Sequence, residues 1–155
     1  MLFSWELGTR AQAILSLNCT GFSVYSSTDL PPPVSTSAFG SANATGLIPF
    51  FEIARTTILS RNQKNGNIAG PQPLTQGDGS AADPASIGFA VLLANWTGQD
   101  AGQIDYAGAA KDQLDYLLQD VPQTLDGAIS HRVYEVQLWY VFCLFNTPLI
   151  EQVQE

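Results

Sequence analysis

Charge is scarce in this chain. Only 13% of its 155 residues are Asp, Glu, Lys or Arg, about half the share of an average soluble domain. Basic residues are scarcest, six against fourteen acidic ones, for a formal net charge of -8. With no basic patch to neutralise phosphates, the composition argues against nucleic acid as a partner. The same deficit argues against docking on an anionic membrane surface. Cysteine is limited to Cys19 and Cys143. Two such residues outside any CxxC pair build neither a disulfide framework nor a structural zinc site. Both read as small buried hydrophobes. Long apolar runs are missing too: the most apolar one, 133–150, is interrupted by Glu135, Gln137, Asn146 and Pro148, so no membrane-spanning helix is expected. No secretory leader is legible, because Met1 opens almost directly into an amphipathic pattern with Glu6 and Arg10. Phosphate loops, nucleophile elbows and the ligand spacing of a calcium loop are likewise missing.

What is present is helical pattern. An apolar fraction of 45% over 155 residues suffices for one domain with a core. Ser4 can cap a first helix in which Leu7, Ala11, Ile14 and Leu15 make one face, ending at 18–21. A long loop rich in Ser, Pro and Ala follows over 22–45. A second helix is expected over Gly46 to Arg61, with Pro49 in its first turn and Leu47, Phe51, Ala54 and Ile58 as its stripe. A second long loop, 62–83, precedes Asp83-Pro84. That pair reads as N-cap and first residue of a helix to Ala94 that is apolar nearly all round and so buried on most sides. A fourth helix is expected over Ile104 to Gln119, its apolar face carrying Tyr106, Ala110, Leu114, Leu117 and Leu118. Asp126-Gly127 marks a tight turn. A fifth, aromatic helix is expected from His131 through Trp139 to Phe145. No strand is expected, so the chain reads as all-α, about five helices in hairpins joined by long loops.

Three Asn-x-Thr triplets, at Asn18, Asn43 and Asn95, fit the acceptor pattern for N-glycosylation and lean towards a secreted, extracellular protein. The candidate acids or bases are Asp78, Asp83, Asp120, Asp126, Glu135 and His131, the only histidine. Asp83 stands out because it opens a buried helix after a Gly-rich loop, although N-capping is a sufficient role for it. Trp139 is either core or a platform on which a sugar ring stacks.

The string from Asp83 to Trp139 resembles a known family. Asp83-Pro-Ala-Ser-Ile-Gly88, Val91-Leu92-Leu93, Thr97-Gly98 and Tyr106-Ala107 with Ala109-Ala110 are similar to the six-hairpin glycosidases. So are Val121-Pro122-Gln123-Thr124, Asp126-Gly127, Ile129-Ser130-His131-Arg132 and Gln137-Leu138-Trp139. Phe3-Ser4-Trp5-Glu6-Leu7-Gly8 looks like the first helix of fungal secreted proteins related to the unsaturated glucuronyl and rhamnogalacturonyl hydrolases. The resemblance implies one partial α/α-toroid domain over 1–155 and a carbohydrate-active hydrolase that needs no cofactor or metal. Its partner would be an acidic oligosaccharide derived from pectin or glycosaminoglycan. Such enzymes hydrate the C4=C5 double bond of a terminal unsaturated uronic acid. By the same resemblance Asp83 matches a functional aspartate of catalysis, and His131 and Trp139 lie against the sugar. The family's Trp-x-Asp motif has its acid/base at a position occupied here by Val141, which cannot transfer a proton. Beyond Trp139 the match degrades, and five helices are expected where the family has twelve. The resemblance therefore implies a truncated and divergent relative, impaired or inactive as a hydrolase. A non-catalytic sugar-binding or interaction module and a non-functional fragment of a gene remain alternatives.

Overall fold

A computed structural model describes residues 4–19, 44–65, 70–76 and 79–139. Asp78, Val141, Cys143, most of the 22–45 loop and the second half of the expected fifth helix lie outside the described residues. The fold is all-α: α1 Ser4–Asn18, α2 Ala44–Asn65, the single turn α3 Ala82–Ala85, α4 Gly88–Trp96 and α5 Tyr106–Gln119. Among the described residues there is no strand, only two isolated antiparallel bridges, Ser80 with Arg132 and Gln123 with Ile129. Nor is any helix long and apolar enough to cross a membrane.

The helices pack as two pairs, α1 on α2 and α4 on α5, joined by contact of α2 with α4. α1 buries Gly8, Ala11 and Leu15, the face its spacing predicts. α2 buries Leu47, Phe50, Ile53, Ala54 and Ile58. Phe50 takes the fully buried place expected for Phe51, whose ring meets it edge-on with centroids 5.2 Å apart. α2 begins at Ala44, so Pro49 lies inside it rather than in its first turn. α4 is buried from Ala90 to Ala94, as an all-round apolar helix requires. α5 is capped by Asp105, whose carboxylate accepts the Gly108 amide. Its inward face holds Tyr106, Ala110, Leu114 and Leu117 as expected, but also Gln113, while Leu118 is exposed.

Two carboxylates, Asp112 and Asp100, tie the helices together. Asp112 of α5 pairs with the buried Arg61 of α2 and accepts the Gly70 amide at 3.1 Å. The neighbouring Gln113 accepts the Leu74 amide at 2.8 Å. These bonds clasp the 70–76 loop onto α5 and satisfy backbone donors that helix or sheet would otherwise pair. Asp100, in the turn between α4 and α5, accepts from Arg55 at 2.6 Å and from the Tyr106 hydroxyl at 2.9 Å. That double anchor holds Asp100 at φ 48, a left-handed conformation that Asp tolerates better than most residues.

Two whole-element expectations fail as well. The helix from Asp83 to Ala94 is broken: α3 ends at Ala85, and Ser86 and Ile87 form a turn before Gly88. The Ser86 hydroxyl donates to the Asp83 carbonyl at 2.6 Å, a local bond that competes with helix propagation. The second failure is the fifth helix, since 131–139 are not helical. Their backbone groups are committed elsewhere: His131 N–H to Gln137 O at 2.8 Å, Val133 N–H to Gly79 O at 3.0 Å, and His131 O to the Ala81 amide at 2.8 Å. β-branched Val133 and Val136 and aromatic Tyr134 are also weak helix formers.

Candidate functional site

Asp83, His131 and Trp139 belong to two segments, 79–83 and 130–139, that run side by side through the Ser80–Arg132 bridge. Gly79 makes the approach possible. It sits at φ +89, and a Cβ there would lie 2.9 Å from the Tyr134 ring and 3.2 Å from the Arg132 guanidinium. The next residue, Ser80, is buried. Its hydroxyl accepts the Asp83 amide at 3.1 Å and lies 3.4 Å from His131 Nε2. Ser80 therefore serves the start of α3, and Asp83 is the second residue of that turn rather than its N-cap. The Asp83 carboxylate, relieved of capping, is half-buried and has no hydrogen-bond or ionic partner among the described residues.

The second segment is organised by Ser130, which is fully buried. Its hydroxyl donates to Glu135 O at 2.9 Å and accepts the Arg132 and Gln137 amides at 3.1 and 2.9 Å. The loop 130–137 is thus closed around one side chain. It ends by laying the Trp139 indole on the His131 imidazole, centroids 4.4 Å apart and planes 12° from parallel. Gln137 orients the indole by accepting from Trp139 Nε1 at 3.3 Å while donating to Glu135. His131 is buried under this stack, whereas Trp139 stays 51% exposed and Tyr134 84% exposed.

The three sequence-predicted positions are therefore linked in one chain of contacts: Asp83 to Ser80, Ser80 to His131, His131 to Trp139. With its proton on Nδ1 the imidazole accepts from Ser80, and with its proton on Nε2 it donates. Either way the ring is fixed by a hydroxyl on its edge and an indole on its face. Of the other candidate acids among the described residues, Asp120 and Asp126 do not join the group, and Glu135 touches it only through Gln137. Asp126 is exposed in the Thr124–Ala128 turn, where the Thr124 hydroxyl holds its carboxyl below the usual aspartate range. Asp120 and Glu135 are exposed. No three His, Cys, Asp or Glu side chains gather as a metal set among the described residues.

Ser80 and Ser130 escaped the sequence reading. Ser80 was legible: Ser80-Ala-Ala-Asp83 is the Ser-x-x-Asp pattern of a helix start. Ser130 carries no such signal, because its partners are amides and carbonyls that any residues could supply. No protein-family model, curated protein or solved structure matches this chain.

Proposed function

We propose that this chain is a carbohydrate-active protein of the six-hairpin glycosidase type, its two helix pairs forming part of an α/α toroid. In this reading the surface around Asp83, His131 and Trp139 takes the terminal sugar of an acidic oligosaccharide. The observation that carries it is the stack of an exposed indole on a buried, hydroxyl-bonded imidazole. An indole held rigid and half open costs little further ordering when a sugar ring lies against it. The Asp83 carboxylate, without a partner among the described residues, is an acceptor for sugar hydroxyls. Arg132, the only cation of the 130–139 segment, supplies a charge of the sign that a uronate needs.

Binding is separable from turnover here. Hydration of a C4=C5 double bond requires an acid that delivers a proton to carbon, and the position where the resemblance expects it holds Val141. The chain should therefore bind unsaturated uronyl oligosaccharides and hydrate them slowly or not at all. Calorimetric titration with unsaturated and saturated uronyl oligosaccharides tests the first part, and loss of double-bond absorbance tests the second. Trp139→Ala should weaken binding about tenfold, close to 1.4 kcal/mol. Absence of heat with every acidic oligosaccharide would sink the binding reading. Rapid loss of the double bond would sink the claim that Val141 disables the chemistry.

A further inference from the structure

We propose that Asn95 is an acceptor for an N-linked glycan, and that Asn18, which carries the same triplet, stays unmodified in the folded protein. The inference goes beyond sugar binding at the Trp139 site and requires entry into a secretory pathway, which the triplets themselves suggest.

As sequence the triplets at Asn18 and Asn95 are equivalent; the fold separates them. Asn18 is the last residue of α1. It is exposed, but both ends of its amide have close neighbours. Nδ2 donates to the Ile14 carbonyl at 2.8 Å, and Oδ1 lies against α2 so closely that a Cβ at Gly46 would fall 2.2 Å from it. The atom of that amide facing the start of α2 is Oδ1, so a glycan on the adjoining nitrogen would begin beside the meeting of α2 with α1.

Asn95 differs in what surrounds its amide rather than in exposure. It is exposed near the end of α4, and its side chain has no hydrogen-bond partner among the described residues. The next residue, Trp96, packs against the core and directs the apolar side of the turn inward. The turn that follows faces open space, since a Cβ at Gly98 or Gly102 would meet no atom within 4 Å. Thr97, the hydroxyl residue of the triplet, donates to the Leu93 carbonyl at 2.7 Å in the folded chain. Its hydroxyl is free for a transferase only before the last turn of α4 closes, so transfer precedes folding and the finished fold leaves the product in solvent. The donor is a lipid-linked oligosaccharide pyrophosphate. The anomeric carbon–oxygen bond breaks, the lipid pyrophosphate leaves with the electron pair, Nδ2 of Asn95 bonds the anomeric carbon, and one amide proton is lost.

The test is to carry the full chain through a eukaryotic secretory pathway behind a cleavable leader, in an Asn43→Gln background so that the third triplet is silent. Glycopeptide mass mapping is applied to total protein and to its protease-resistant, folded fraction. The expected result is a glycan at Asn95 in both fractions and none at Asn18 in the folded one. The Asn95 glycan should vanish in Asn95→Gln and Thr97→Ala and return in Thr97→Ser. Because transfer occurs on the entering chain, total protein reports on Asn95 even where secretion is poor. A bare Asn95 in total protein, or a glycan at Asn18 in the folded fraction, overturns the proposal.

Discussion

Removing the carboxylate of Asp112 tests whether the clasp between α2, α5 and the 70–76 loop holds the molecule together. In Asp112→Ala the Arg61 guanidinium, with its side chain only 7% exposed, loses its carboxylate partner. Arg61 Nε already has no partner among the described residues, so little else is positioned to compensate. Leaving one member of a buried pair uncompensated costs about 3 kcal/mol, and the orphaned Gly70 amide adds about 1 kcal/mol. Against a total of about 10 kcal/mol for a domain of this size, that is a large fraction. With a urea m-value of about 2 kcal/mol/M, the midpoint should fall by about 2 M, followed by far-ultraviolet circular dichroism. The double variant Arg61→Met/Asp112→Leu removes both charges and should recover most of the Arg61 loss, since an apolar pair of similar volume serves a buried site as well. A midpoint shift below about 0.5 M for Asp112→Ala, or a double variant no better than the single one, would refute this account.

Tyr106 gives a pH signature. Burial first, then its bond to Asp100, raises its phenol well above the ordinary value near 10. The unfolded chain ionises that phenol first, so stability is complete below about pH 10 and falls as pH climbs towards the folded value. Tyr106→Phe should flatten that alkaline loss in unfolding titrations; an unchanged slope would count against it. Gly8→Ala tests the seat of α1 on the turn after α3. Its Cβ would fall 2.6 Å from Ser86 Cβ and 2.9 Å from the Ser86 backbone, which no rotamer change relieves. Overpacking of about 2–3 kcal/mol exceeds the roughly 1 kcal/mol that alanine gains over glycine in a helix, so thermal melting should show net destabilisation.

The helices were legible where one face repeats without interruption. α1 and α5 fall within two residues of their expected bounds because Leu7, Ala11 and Leu15, and Tyr106, Ala110, Leu114 and Leu117, keep strict helical spacing. The break at Ser86 was hidden because a hydroxyl that bonds the carbonyl three residues back leaves no trace in an apolar pattern. The 131–139 segment misled for a different reason. Val133, Val136 and Trp139 have helical spacing, but pairing with 79–81 and closure around Ser130 overrode it. Asp83, His131 and Trp139 could be named from sequence, but the serine that links the first two became visible only through its contacts.

The seam between 79–81 and 131–133 also dictates an order of events during folding. Ser80 and His131 are 51 residues apart in sequence. Closing an unstructured loop of that length costs about 3.5 kcal/mol from chain entropy alone. The few hydrogen bonds of the seam, at about 1 kcal/mol each, barely offset it. The α4–α5 pair changes the balance, because once docked it has already spanned most of the intervening chain. The helical core should therefore form in a fast, local phase, and the imidazole–indole stack should appear in a slower one. A refolding experiment would see helical dichroism return before the fluorescence of Trp139.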